Sequence, residues 1–481
     1  MRTHSVSGCL FFLLLALCTS LVGEPAWGGQ IANPSLFSRA TMQKVDLKGV
    51  RVWLGRPVQV TAQMGFHESW YWGQGESLSS FEHLMLQGVT SYHESSGQAE
   101  SWWSLVHLTP YLARFPEGQL VTTYALDPDV HVPPIRVSGF QISTDGGEHW
   151  GRRYSLLMQH IPMVFVPKPN NSLMAIPSEM FEKTPGDEHE HNYTGPYYLF
   201  KNGGESMEVV PDGVRLVDLP WTAAINPEEK PPWTAAIPGV QPRDSWKPEL
   251  NITGDALFMG GKLLATAYSM KVGEQAIYSV LVASEDGGYT WRYFSTVGSP
   301  DPSLIGQHSY EGPNESSMIR LADGDLMVVY RVGSGSNWKL RRVYSHDGGR
   351  TWTTPDVLPA WSVEPELVRT ASGTIALSTG RPGIYLWLST DPRGKDWQSI
   401  NIIDHHNGSM TDPSARISSF AGKPSPYFTE NTRWQTSSYT RMVEVAPNRL
   451  LLVYDRDPER PPVNGDDLSR VFVLPIEIER E

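Results

Sequence analysis

The phrase Ser-x-Asp-x-Gly-x-x-Trp recurs along this chain and constrains its fold more than any other feature. It stands at Ser143 to Trp150, Ser284 to Trp291 and Ser345 to Trp352, and a looser version runs from Ser389 to Trp397 with one extra residue before Gly394. Each copy follows a β-rich run and carries hairpin chemistry. Asp caps the turn amides, Gly supplies positive φ, and Trp packs on the returning strand. Repetition of this kind implies stacked units sharing one core, as in a propeller or solenoid.

Length alone, 481 residues, allows two or three domains, but stacked units form one body. Abundant Gly, Pro, Trp and Tyr with few helix-period runs point to an all-β chain. A net charge of -13 argues against a nucleic-acid partner, which needs a basic face. At the N-terminus Arg2 and His4 precede the apolar run Cys9 to Leu17, then small and polar residues to Ala26. That run is too short to span a bilayer comfortably, so residues 1–26 read as a cleaved signal peptide, with a retained signal anchor as the alternative. The expectation is a secreted protein, periplasmic in a bacterium, with no membrane span after cleavage. Cys9 and Cys18, the only cysteines, lie inside this segment, which leaves the mature chain without disulfides or thiol chemistry.

The first apparent strand is Lys44 to Leu54. Beyond Trp103 a strand–turn–strand unit recurs, with turns near Gly118, Gly213, Gly261, Gly324, Gly373 and Asn448. Runs such as Asp325 to Arg331 and Arg449 to Asp455 suit strands packed on both faces. Six such units make a six-bladed β-propeller over residues 27–481, closed by a strand borrowed from the N-terminal region. The interval from Asp145 to Asp286 is more than twice that from Asp286 to Asp347. It reads as a blade without the repeated phrase plus a Pro-rich insertion around 168–247, within which His189 and His191 belong to a solvated loop rather than a metal site.

Counting back nine residues from the turns gives Thr109, Ile252, Glu315, Glu364 and Tyr439, at the starts of strands that run near a propeller's axis. Two carboxylates and a phenol on consecutive units would converge at one mouth of the channel. Arg331 and Arg381 sit one strand further on.

With these positions the chain resembles the sialidase (neuraminidase) superfamily. Glu315 to Gly324 leads to Arg331 at that family's Glu-to-Arg spacing, Arg381 lies eight residues before Ser389, and Tyr439-Thr440 opens the last unit in the family's Tyr context. The resemblance covers roughly residues 105–481. It implies an exo-glycosidase acting on sialic acid or a related acidic sugar, with no cofactor or metal. Tyr439 would be the nucleophile, Glu315 its base, and Arg331 and Arg381 the grip on a substrate carboxylate. Glu364 would be an added substrate-binding carboxylate, or would cap a strand or pair with Arg381. The acid/base Asp would be Asp129, ahead of Asp127.

One motif departs from the family. Leu108-Thr109-Pro110 stands where the first anchoring Arg belongs, with Arg51, Arg56 and Arg114 as spatial substitutes. Losing one of three guanidinium contacts costs on the order of 2–3 kcal/mol of substrate binding. The departure favours two alternatives: a glycosidase for a neutral or uronic sugar using axial carboxylates, or a carbohydrate-binding propeller without turnover. In every reading the partner is a glycan and the protein a monomer.

Overall fold

A computed structural model describes residues 35–61, 70–71, 108–125, 137–151, 154–157, 161–178, 181–184, 186–187, 191–224, 250–307, 309–333, 338–419, 434–456 and 470–481. The repeated phrase builds the turns that its composition dictates. Ser143 Oγ donates to Asp145 Oδ1 at 2.9 Å and accepts the Gly147 amide at 2.9 Å, while Asp145 also accepts the His149 amide at 3.0 Å. The same bonds recur around Ser284 and Ser345. In the looser copy the extra residue moves the cap, and Asp396 rather than Asp391 takes Ser389 Oγ and the Asp391 amide. Trp291, wholly buried, donates its indole N–H to the Gly288 carbonyl at 2.8 Å.

Between these turns the chain forms antiparallel meanders. The first comprises Leu108–Arg114, Leu120–Ala125, Val137–Ser143 and Tyr154–Leu157. Pro162–Lys168, Ser172–Pro177, Tyr193–Lys201 and Ser206–Val217 form the next, and Leu250–Met259, Lys262–Met270, Ile277–Ser284 and Thr290–Gly298 the one after. These two join into one sheet, because Ser206–Val217 pairs in parallel with Thr290–Gly298. Two four-stranded sheets follow, opening on Tyr310–Arg320 and Glu366–Arg369. The last sheet runs Arg441–Ala446, Arg449–Arg456 and Arg470–Arg480, then takes Val50–Leu54 and Gln43–Leu47 from the N-terminal region.

The opening strands of successive meanders pack side by side, and Arg441–Ala446 returns to Leu108–Arg114. The all-β propeller expectation holds. Its core fills the seams between neighbouring meanders: Leu112, Leu120 and Tyr124 pack with Leu451, Val453 and Val471, and Met327 and Val329 pack with Leu367 and Leu377. Second strands such as Leu326–Gly333 are buried on both faces, as their apolar runs require.

Two boundaries differ from the sequence reading. Gly213 lies inside the strand Ser206–Val217; the corresponding turn is Asn170-Asn171, at φ 57° and 50°. Asn tolerates the left-handed region, so an Asn pair replaces the expected Gly. Lys44 to Leu54 is a hairpin, bent at Gly49 with φ 76°. Residues 225–249 and His189 lie outside the described residues. Among those described, no helix is long and apolar enough to cross a membrane.

Candidate functional site

Five of the six opening segments are kinked within or just ahead of their strands, Pro162–Lys168 being the exception. Thr109, Glu315, Glu364 and Ser438 hold φ of 50°, 21°, 38° and 68°, and Gly254 holds 69°. The ladders break at the same places, between Leu108 and Tyr111, Thr253 and Leu257, and Asn314 and Ser316. Non-Gly residues in this region cost of order 1–3 kcal/mol each, a strain that recurs at functional sites. The kink falls two residues after Ile252, which belongs to the core; Asp255 takes the polar role there.

Four of the expected residues meet at this mouth. The Tyr439 hydroxyl donates to Glu315 Oε1 at 3.1 Å. Glu315 Oε2 accepts Arg331 Nη1 at 2.5 Å and the Glu364 amide at 2.9 Å. The Arg381 guanidinium lies 5.8 Å from the Tyr439 ring centroid and donates to the Ser437 carbonyl at 3.2 Å. Glu315 thus stands between the phenol and a buried guanidinium, with one oxygen turned to each. Burial works against the Arg331 charge, but Glu311 and Glu315 outweigh it and hold Arg331 firmly cationic.

The Glu364 side chain turns elsewhere. It is 2% exposed, and it pairs with Arg441 at 3.5 Å rather than with Arg381. Arg441, 1% exposed, also meets Glu366 at 2.9 Å and Asp255 at 3.1 Å, and lies over the Tyr111 ring. Glu364 therefore reaches the phenol–carboxylate pair through its backbone amide. Burial, then the Glu315 charge, pushes its carboxyl up to about 8, against Arg441, Arg331 and the Tyr111 hydroxyl. Burial also raises Glu366 well above the usual carboxylate range.

A fully buried carboxylate fixes the loop that presents Tyr439. Asp455 accepts Thr436 Oγ1 at 2.8 Å and the amides of Ser437 at 2.7 Å and Thr109 at 3.0 Å, along with the Ser437 hydroxyl. Burial pushes its carboxyl up to about 6 despite those bonds. Thr109, beside the missing Arg, is thus tied to the last meander. Two of the possible substitutes are engaged elsewhere. Arg51 pairs with Asp46, Glu479 and Glu481 on an outer strand, and Arg114 faces Glu444.

Asp127 and Asp129 lie outside the described residues. His405 and His406 sit in the helix Ile402–Ser409 and are structural: His405 bonds Gln43 and the Gly55 carbonyl, and His406 bonds Tyr454 and the Ala415 carbonyl. Sequence reasoning missed Glu311, Glu366, Asp455, Asp255 and Arg441. Only two of these left a signal, since Glu366 and Arg441 stand two residues after Glu364 and Tyr439.

Residues 225–454 match the BNR repeat-like domain. No curated protein matches the chain. A protein of unknown function from Dyadobacter fermentans superposes with a TM-score of 0.52 at 17% identity, covering 78% of this chain and 96% of that one. The Hadza microbial sialidase Hz136 gives 0.47 at 14%, over 76% and 65%. An α-L-arabinofuranosidase from Fusarium graminearum gives 0.45 at 15%, over 76% and 92%. Identities this low speak to the fold alone.

Proposed function

We propose that this chain, whose residues 225–454 match the BNR repeat-like domain, is a sialidase-like propeller and a retaining glycoside hydrolase cleaving a terminal glycosidic bond. The observation that carries the reading is the 3.1 Å bond from the Tyr439 hydroxyl to Glu315.

Ionising a phenol at pH 7 costs about 4 kcal/mol, because its ordinary pKa is about 10. Glu315 meets this cost by accepting the proton as Tyr439 attacks the anomeric carbon. Arg331 holds Glu315 in place and stabilises its charge, and the Arg381 guanidinium adds positive potential beside the ring. As the glycosidic bond breaks, an acid protonates the leaving oxygen, the role that the resemblance gives to Asp129. Water then attacks the tyrosyl-linked sugar, returning a proton to the carboxylate left by that acid, while Tyr439 leaves and recovers its proton from Glu315, and configuration is retained over two displacements.

The test is turnover of a panel of fluorogenic aryl glycosides, acidic and neutral. Tyr439→Phe is expected to lower kcat by about 10³ or more, since it removes the attacking oxygen. Unchanged turnover in that variant would falsify the nucleophile assignment. A second reading has an observation of its own: Glu315, held between Tyr439 and Arg331, is itself a nucleophile for a neutral sugar. It predicts that Tyr439→Phe keeps activity while Glu315→Gln loses it. Glycan binding with no hydrolysis of any glycoside would leave a carbohydrate-binding propeller. Export belongs to the proposal, supported by the apolar run Cys9 to Leu17. Secreted protein should begin near Trp27, and protein that keeps residues 1–26 would refute it.

A further inference from the structure

Glu311 is a carboxylate that the proposed chemistry does not use. Asn314 and Arg331 are cross-strand partners, and Glu311 and Glu315 flank that pair on one strand. Arg331 Nη2 donates to Glu311 Oε2 and Nη1 donates to Glu315 Oε2, so both outer ends of the guanidinium are engaged by carboxylates of the protein. Its side chain is only 8% exposed. Glu311 is fixed in turn by Asn314 Nδ2 at 2.8 Å.

A guanidinium grips a carboxylate by presenting two parallel N–H donors to it. Arg331 presents those donors to Glu311 and Glu315 instead. Leu108, not an Arg, stands at the motif position of a further anchoring cation, and Arg441 is enclosed by Glu364, Glu366 and Asp255. Around Tyr439 the two cations Arg331 and Arg381 are matched by the two carboxylates Glu311 and Glu315. A sugar carboxylate entering here finds no net positive charge among the described residues and must displace a paired carboxylate to reach Arg331.

We propose that Glu311 cancels Arg331 as an anion anchor and thereby sets the site for an uncharged sugar, excluding carboxylate-bearing ones. This deepens the hydrolase reading by naming a substrate class and rests on the same site, though not on turnover there. Glu311 is a specificity-determining residue acting through Arg331.

The experiment is calorimetric titration of N-acetylneuraminic acid into the full chain, wild type and Glu311→Gln, with equal melting midpoints confirming the fold. Glu311 is about one-third exposed (31%), so the isosteric change should be tolerated, and Glu311→Ala serves as a second variant. Wild type is expected to show no saturable binding. Both variants should bind at least about tenfold more tightly, the worth of one charge-assisted hydrogen bond. Adding Arg331→Met should abolish the gain. Saturable binding by wild type, or no gain in either variant, overturns the inference. Turnover separates the two claims. Hydrolysis of a fluorogenic sialoside by wild type keeps the hydrolase and removes this inference, whereas hydrolysis of neutral glycosides alone supports both. If no glycoside is cleaved, the hydrolase reading falls and the titration still decides this one.

Discussion

Replacing Glu364 by Gln should make the protein more stable, increasingly so as pH rises. The carboxyl is 2% exposed, and burial lifts it from 4.5 to about 8. Its folded value is therefore raised above its unfolded one. Such a group contributes stability that is fully present below pH 4.5 and is lost as pH rises through 8. In that window the folded chain holds a proton that the unfolded chain has released. Each pKa unit corresponds to 1.36 kcal/mol, so the wild type should lose about 3 kcal/mol between pH 4.5 and 7, and about 5 by pH 9, relative to a chain without this group. Glu364→Gln is nearly isosteric with the protonated carboxyl and cannot ionise. Urea denaturation of both proteins at pH 5, 7 and 9 reads the difference, which cancels the titrating groups that do not interact with Glu364. The two should agree within about 1 kcal/mol at pH 5, with the variant ahead by several at pH 9. A constant difference across that range, or a variant less stable at pH 9, refutes the argument. It would mean that Glu364 is buried as a carboxylate paired with Arg441.

Other changes give simpler readings. Asp455→Ala strands four donors that bind one buried carboxylate, and should cost at least about 3 kcal/mol in urea unfolding; a loss under 1 kcal/mol would contradict the clamp. His406 is held neutral by burial, its pKa lowered from 6.5 to about 4. Its contribution should be intact above pH 6.5 and fade as pH falls towards 4, so His406→Gln should reduce the acid sensitivity of the melting midpoint over that range. Gly349→Ala places a Cβ 2.4 Å from Leu281 Cδ2 at φ 90°, and should lower the midpoint by several degrees, a shift that thermal melting detects.

The legible part of this protein is its short-range chemistry. Ser143, Asp145, Gly147 and their repeats specify a turn within eight residues, so the pattern alone locates it, and the spacing from turn to kink then finds Glu315, Glu364 and Tyr439. Gly213 misled because a turn needs positive φ rather than Gly, and Asn170-Asn171 supplies it without one. Glu311 was hidden for another reason. Its approach to Arg331 depends on the register shift between Tyr310 and Asn314, which alters the strand's alternation by an amount that no spacing rule contains. Arg441 and Glu366 follow the two-residue period of their strands, but their mutual contact spans two meanders.

The last sheet has a consequence for how the molecule is made. Val52 pairs with Ile478, so the ring closes only when segments from opposite regions of the chain meet. Contacts of such sequence separation form slowly, since loop closure must precede any reward. Tyr439 and the Asp455 clamp belong to this sheet, while Glu315 emerges from the ribosome more than a hundred residues earlier. The phenol and its carboxylate are therefore brought together late in synthesis, and closure of the ring coincides with completion of the site.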